Sequence, residues 1–323
     1  MKVFVTGGAG YIGSISAETL LDAGHEVVVF DNLERGHAEA VDPRAEFVKG
    51  DLRDRVGILA AMKAARPDAV MHFAAYALVG ESMVSPELYW GNNVVGGLNL
   101  AEAMLKLGVD KIVFSSTCAT YGMPRRIPMT EDHPQAPANP YGISKLMFEN
   151  VLIWNEALRG MKPVFLRYFN AAGATGKYGE DHDPESHLIP IVLQTAIGHR
   201  KNVVIHGDDY DTPDGTCIRD YVHISDLAQA HLLAIEKGVT GGFNLGNGEG
   251  YSVKEVLQAA REVTGREIPA AVGPRRPGDP DRLVACSTKA KEKLGWKPAR
   301  AELKTIIESA WLWHQAHPRG YSG

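Results

Sequence analysis

The chain has 323 residues, 45% of them hydrophobic and 23% charged, with a formal net charge of -5. That length and balance describe a globular protein with a full core, and the modest negative charge gives no footing for nucleic acid or an anionic membrane. No apolar run approaches the roughly 18 residues a spanning helix needs, and the N-terminus does not read as a signal peptide. Three scattered cysteines (Cys118, Cys217, Cys286) without a C-x-x-C pair fit a reduced, cytoplasmic enzyme and argue against a disulfide scaffold or a zinc site.

In chain order, Lys2-Val3-Phe4-Val5-Thr6 reads as a strand. It runs directly into Gly7-Gly8-Ala9-Gly10-Tyr11-Ile12-Gly13, and a helix follows over about residues 14–23. A turn without side chains lets the backbone approach a pyrophosphate, which then sits on the N–H groups of the helix N-terminus. The spacing is G-x-x-G-x-x-G. A second strand, 26–30, ends at Asp31, about 20 residues past the glycines, where a carboxylate accepts a ribose 2′-hydroxyl and repels a 2′-phosphate. NAD is therefore expected over NADP.

Residues 32–44, beginning with Asn32, are expected to loop beside the adenosine, and 45–48 read as a third strand ending at Asp51-Leu52. Asp51 either meets the adenine amino group or caps the helix that starts near Arg53. A fourth strand, 69–73, ends at Phe73-Ala74-Ala75, small residues past which a cofactor can run close to the backbone. A long helix over 86–107 carries Asn92 and Asn93, one of which can turn its amide to the cofactor; its apolar face is core or subunit contact. The fifth strand, 111–114, ends in the hydroxyls Ser115, Ser116, Thr117, Thr120 and Tyr121. Strands alternating with helices at this spacing imply a doubly wound parallel sheet of the α/β class, which binds ligands at the carboxyl ends of its strands.

Asn139 and Pro140 then cap and open a helix to about Arg159, placing Tyr141 and Lys145 four residues apart on one face. A free tyrosine, with a pKa of about 10, is a poor base at neutral pH, and a neighbouring ammonium brings the phenolate into range. Lys145 has further donors for a nicotinamide ribose.

The second half reads as mixed α/β. It has a strand at 163–168 ending at Phe169-Asn170, a polar loop 171–186, a helix over 187–198, and short strands at 203–205 and 216–221. A helix over 225–236 and a strand at 242–245 returning to the main sheet follow. Asp181-His182-Asp183 matches no standard metal spacing, so a solvated loop is expected there and no metal. Arg275 and Arg276 either clamp a diphosphate or face solvent.

Thr6 to Gly13, Asp31 and the Tyr141-Gly142-Ile143-Ser144-Lys145 run together resemble the extended short-chain dehydrogenase/reductase superfamily. Ser115-Ser116-Thr117, Arg167-Tyr168-Phe169-Asn170, Ile218-Arg219-Asp220-Tyr221 and Arg276-Pro277-Gly278-Asp279-Pro280 narrow the resemblance to its UDP-glucose 4-epimerases, over essentially the whole chain. That resemblance implies a modified Rossmann domain over 1–170 with a segment near 217–250 returning to it, and a smaller UDP-sugar domain mainly over 171–323. It implies tightly held NAD and a homodimer through the 86–107 region. Tyr141 would be the base, Thr117 its helper, and Lys145 the ribose anchor. Gly7, Gly10, Tyr11, Ile12, Gly13, Asp31, Asn32, Asp51, Leu52, Phe73, Ala74, Ala75, Asn92, Ser115 and Phe169 would line the cofactor. Asn170, His187, Leu188, Val204, His206, Arg219, Arg276 and Asp279 would line the nucleotide sugar.

The implied reaction oxidises the sugar at C4, turns the 4-keto sugar about its diphosphate link and reduces the other face, interconverting UDP-galactose and UDP-glucose. Two positions depart from the family pattern. Ala77 stands where some relatives carry Lys, and Leu283 falls where a residue limiting sugar size varies, leaving N-acetylhexosamines and pentoses open. The rivals are a sugar-nucleotide 4,6-dehydratase, disfavoured because Cys118-Ala119 supply no acid or base beside Thr117, and a non-catalytic NAD sensor, disfavoured because Tyr141 and Lys145 are both present.

Overall fold

The computed structural model describes residues 1–276 and 278–322; Pro277 of the Arg-Pro-Gly-Asp motif lies outside the described residues. Six strands come first: β1 (Lys2–Thr6), β2 (Glu26–Asp31), β3 (Glu46–Lys49), β4 (Ala69–His72), β5 (Lys111–Thr117) and β6 (Lys162–Tyr168). Between them run helices α1 (Tyr11–Asp22), α2 (Arg55–Ala65), α3 (Val79–Val84), α4 (Pro86–Tyr89), α5 (Gly96–Leu107) and α6 (Pro140–Arg159). The chain continues through β7 (Asn170–Ala172), α7 (Leu188–Ile197), β8 (Val203–His206), β9 (Ile218–Arg219), β10 (Tyr221–His223), α8 (Ile224–Lys237) and β11 (Gly241–Leu245). It ends with β12 (Tyr251–Ser252), α9 (Val253–Thr264), β13 (Ala270–Gly273), β14 (Arg282–Leu283) and α10 (Leu303–Ala316).

The main sheet is parallel, in the order β11-β6-β5-β4-β1-β2-β3. The winding direction reverses between β1 and β4, and a crevice opens there at the strands' carboxyl ends. Side chains alternate across β1, so Val3 and Val5 enter the core beneath α1 and α8 while Phe4 enters the one beneath α2 and α5. Burial on both faces is why these strands read as continuous apolar runs. A third core joins α7, α9 and α10 around Val192, Leu257, Ile306 and Trp311.

Some expectations shift. The segment read as one strand over 216–221 breaks into β9 and β10 at Asp220, whose buried carboxylate accepts from the backbone N–H groups of Asn247 (2.7 Å), Gly248 (3.0 Å) and Ala285 (3.1 Å). It thereby ties three chain segments to one point. Asp220→Ala would leave those donors without partners, at about 1–3 kcal/mol each, so a loss of at least ~3 kcal/mol is expected in urea unfolding. Helix 86–107 forms, but residues Trp90–Val95 widen into a π-helical stretch carrying Asn92 and Asn93. Such a bulge turns side chains away from the regular helical face. Helices α9 and α10 occupy stretches to which the sequence reading assigned no element.

Candidate active site

The glycine turn is built by contact. At Gly7, with φ +73°, a Cβ would stand 2.4 Å from the Ala74 nitrogen, and at Gly13 a Cβ would stand 2.1 Å from the Gly7 carbonyl oxygen. The turn is thus packed against the end of β4, and α1 starts with first-turn N–H groups that no carbonyl of its own helix can reach. Gly10 caps that helix without a side chain. This cradle fits a pyrophosphate, and the small strand end at Phe73-Ala74-Ala75 forms its second wall. Tyr11 contributes by its backbone position, since its hydroxyl donates to the Gly173 carbonyl at 2.6 Å and joins the turn to the chain after β7.

Asp31 stands at the end of β2, as read. One carboxylate oxygen accepts from Ala9 N–H (3.0 Å) and the other from Leu33 N–H (2.8 Å), so it also braces the glycine turn. Burial raises its pKa against those hydrogen bonds. The open alternative at Asp51 resolves in part: α2 is capped by Asp54, which accepts from Val56 and Gly57 N–H. Asp51 instead takes hydrogen bonds from the Arg53 guanidinium and from the Asn32 amide at 3.0 Å, and Arg53 holds its carboxyl down at about 2. Leu52 is buried between them and α5. Of the two candidate amides, Asn93 is committed to structure, bonding Tyr76 and the Ser144 hydroxyl. Asn92 donates to the Asn93 oxygen, which leaves Asn92 as the one available to a ligand.

The reactive groups meet at the carboxyl end of β5. Helix α6 starts at the Asn139 cap, whose side chain accepts from Gly142 N–H at 2.8 Å, with Pro140 in its first turn. In the same first turn Tyr141 lies beside Thr117, and one turn further Lys145 donates to the Ser115 carbonyl at 2.8 Å. The ammonium is 6.0 Å from the Tyr141 ring and 4.8 Å from that of Phe114. Burial pushes the Tyr141 phenol well above its ordinary value, with the Thr117 hydroxyl opposing. Burial also pulls Lys145 down to about 7, against the attraction of Glu149.

That depression sets a pH dependence. The folded-state value lies below the unfolded one, so the burial penalty is complete below about pH 7 and fades as pH rises toward about 10.4. Wild type should therefore gain stability relative to Lys145→Met between pH 7 and 10, a trend that denaturant unfolding at both ends of the range checks.

The hydroxyl cluster divides by role. Thr117 faces Tyr141, whereas Ser116 donates at 2.5 Å to Glu149, one turn beyond Lys145. Glu149 is fully buried and receives the Arg167 guanidinium on both oxygens, at 2.9 and 2.6 Å, together with Gln135. Arg167 continues to the Tyr121 hydroxyl (3.0 Å), which donates to the Asn244 amide oxygen (2.6 Å). The sequence reading missed this network, although Tyr141, Lys145 and Glu149 fall at successive turns of one helix face.

Phe169 packs with Cys118, Tyr121 and Met129 just past β6, with Leu283 at the edge of that cluster. Asn170 begins β7, its N–H on the Asp220 carbonyl. Arg219 and Asp279 pair at 2.6 Å, and Arg276 and Asp279 both act on His206, so four substrate candidates with Val204 on β8 share one region. Leu188 opens α7 and packs into the third core. His187 differs from expectation: its ring Nδ1 lies 2.8 Å from Glu180 and 3.1 Å from Glu185. Nor is the 171–186 loop simply solvated, since the side chains of Glu180 and Glu185 are only 6% and 3% exposed.

A family model described as the NAD dependent epimerase/dehydratase family matches residues 3–246. A UDP-glucose 4-epimerase of Lacticaseibacillus casei is 52% identical, over 99% of both chains. A crystal structure of a UDP-glucose 4-epimerase superposes with a TM-score of 0.97 at 52% identity, covering 99% of each chain. The Bifidobacterium longum UDP-glucose 4-epimerase, solved in complex with NAD+ and UDP, superposes at 0.95 with 39% identity, over 99% of this chain and all of that one. With the cradle, the acidic strand end and the Tyr141–Lys145 pair in one crevice, the chain belongs to the NAD dependent epimerase/dehydratase family.

Proposed function

We propose that the protein interconverts UDP-galactose and UDP-glucose by epimerisation at C4. The observation that carries this is Tyr141 set beside Thr117 with the Lys145 ammonium behind it, at the carboxyl end of the strand that faces the glycine cradle. NAD would be held by the 7–13 turn, Asp31, Asn92, Ser115 and Lys145, and when bound it takes up the C4 hydride and gives it back. The chain's own groups handle protons and position. Tyr141, as phenolate, takes the proton of the C4 hydroxyl and becomes neutral, Thr117 shares the hydrogen bond at that oxygen, and Lys145 stabilises the phenolate before that transfer. The proton returns by the same route after the 4-keto sugar has turned. Turning requires a firm hold on the diphosphate and nucleoside and a loose one on the hexose, a division that places Arg219, Arg276 and Asp279 on the UDP side.

Dehydration is not supported at this site. Cys118, next to Thr117, is buried and its thiol is pushed up to about 12, and Ala119 has no titrating group. The chain reads as two interlaced units, a cofactor unit over 1–170 completed by the segment near 217–250, and a substrate unit over the remainder. The end of the π-helical stretch and helices α5 and α6 carry exposed apolar side chains, Val95, Leu98, Met147, Trp154 and Leu158, Trp154 by 65%. A homodimer through these side chains covers them, and Trp154→Arg is expected to shift the mass by light scattering from dimer to monomer. The three cysteines are free, as in a reduced cytoplasm. Among the described residues no helix is long and apolar enough to cross a membrane.

The test is to incubate purified protein with UDP-galactose without added cofactor. Formation of UDP-glucose is expected; no conversion by protein that releases NAD on denaturation would count against this substrate pair and direct assays to UDP-N-acetylhexosamines and UDP-pentoses.

A further inference from the structure

Four side chains that the epimerase chemistry does not require converge between β7 and α7. Glu180, His182, Glu185 and His187 each offer one ligating atom, and these atoms all lie within 4.8 Å of one another. The imidazole nitrogens are both Nδ1. His182 Nδ1 lies 3.3 Å from Glu180 and 3.6 Å from Glu185, and His187 Nδ1 lies 2.8 Å and 3.1 Å from the same two carboxylates. A tetrahedral zinc with ligands at about 2.0–2.1 Å has ligand-to-ligand edges of about 3.3 Å, the middle of this range.

The second observation concerns direction. His182 Nδ1 and Glu185 Oε2 are buried and make no hydrogen bond, although charge partners stand close by. Glu185 is the more telling of the two, because its side chain is only 3% exposed and one of its oxygens is left without a donor. Buried polar atoms are rarely left so. Ion pairing alone would turn the ring N–H toward a carboxylate oxygen. His187 Nδ1 does hydrogen-bond Glu185 Oε1, at 3.1 Å, but His182 Nδ1 and Glu185 Oε2 stand 3.6 Å apart without hydrogen-bonding each other or anything else, the arrangement that ligand atoms facing a shared ion require.

We propose that Glu180, His182, Glu185 and His187 bind one Zn2+ as a closed structural centre. Two carboxylates balance the dication and two imidazoles complete four protein ligands, a donor set that suits zinc and leaves no position for substrate water. The surroundings indicate what the ion secures. His187 is the residue that caps α7, and the His182 ring meets the edge of Tyr11, the first residue of α1, at 6.2 Å. Arg35 and His37, just past β2, reach the carbonyls of Asp183 and Asp181 in the same loop. The centre thus pins the 174–187 segment between the cofactor turn and α7. The sequence carries the ligands as E-x-H-x-x-E-x-H, whereas a reading centred on Asp181-His182-Asp183 takes an Asp181 carboxylate that is engaged by His37 and the Tyr321 N–H and an Asp183 that is exposed.

The experiment equilibrates the intact protein with Zn2+, dialyses it, and counts metal per chain by plasma mass spectrometry. About one zinc per chain is expected in wild type and a loss of at least about tenfold in His182→Ala and Glu185→Ala. In wild type, Co2+ replacement should give the visible d–d bands of a tetrahedral site, and chelation should lower the thermal midpoint until Zn2+ restores it. These wild-type readouts do not depend on the variants folding. No retained zinc with no cobalt band overturns the proposal and leaves a coupled ion-pair cluster. Zinc held equally by both variants overturns it too, because the ion then sits elsewhere.

Discussion

Tyr141→Phe is expected to lower turnover of UDP-galactose by about 10²- to 10⁴-fold, the range for removing a positioned acid–base group, while the protein still carries NAD. The two halves of this result have separate origins. The glycine turn, Asp31 and Asn92, proposed above to hold the cofactor, stand on β1, β2 and the π-helical stretch, none of which the Tyr141 hydroxyl supports. The phenol is buried and held toward its neutral form, so it ionises only with cationic charge close by. Lys145 is placed to supply that charge, 6.0 Å from the ring and fixed by the Ser115 carbonyl. Cofactor content is read by denaturing the variant and assaying the supernatant, and turnover by coupled detection of UDP-glucose. Undiminished turnover would remove Tyr141 from the role of base.

Glu149→Gln is expected to cost about 3–5 kcal/mol of stability, the usual cost of stripping one partner from a buried ion pair. The Arg167 guanidinium would lose its counter-charge, keep at most one of its two acceptors and face an NH2 in place of the other, while remaining in the interior at 6% exposure. Ser116 and Gln135 would lose a charged acceptor in the same step. The double variant Glu149→Leu/Arg167→Met removes both charges and should lose less than the single variant, since apolar replacements of a whole pair are tolerated. Urea unfolding of both proteins checks this. A single variant within 1 kcal/mol of wild type would mean that Arg167 finds another partner.

What the sequence shows well is what it encodes within a few neighbouring residues. The glycine turn, the Asn139 cap and the Tyr141–Lys145 pair depend on spacing along one turn or one helix, and the structure places each where that spacing implies. The parallel sheet follows from the alternation of apolar strands with helices, including the return of β11. The Glu149–Arg167–Tyr121–Asn244 chain was not legible, because its links join residues 18, 46 and 123 positions apart. The break at Asp220 has the same origin, with donors 27, 28 and 65 positions away. Asp51 and Asp54 stand three residues apart before one helix, and only the position of Arg53 and Asn32 separates a salt-bridged carboxylate from a cap. The 180–187 carboxylates and imidazoles lie close in sequence, but in an irregular loop without periodicity to show which of them converge.

The pairing of β11 with β6 bears on how the protein can be made. Phe243, Asn244 and Leu245 lie against Leu166, Arg167 and Tyr168, and between the two strands the chain leaves to build β7 to β10. During synthesis the cofactor half therefore waits, with Lys162–Tyr168 as an open edge, until more than seventy further residues have emerged. An unpaired apolar edge is a template for other chains. A fragment ending at residue 170 keeps that edge permanently, along with an Arg167 deprived of the Tyr121–Asn244 link. Such a fragment belongs in inclusion bodies rather than in a binding assay, and dissection of this protein has to proceed by substitution, not by truncation.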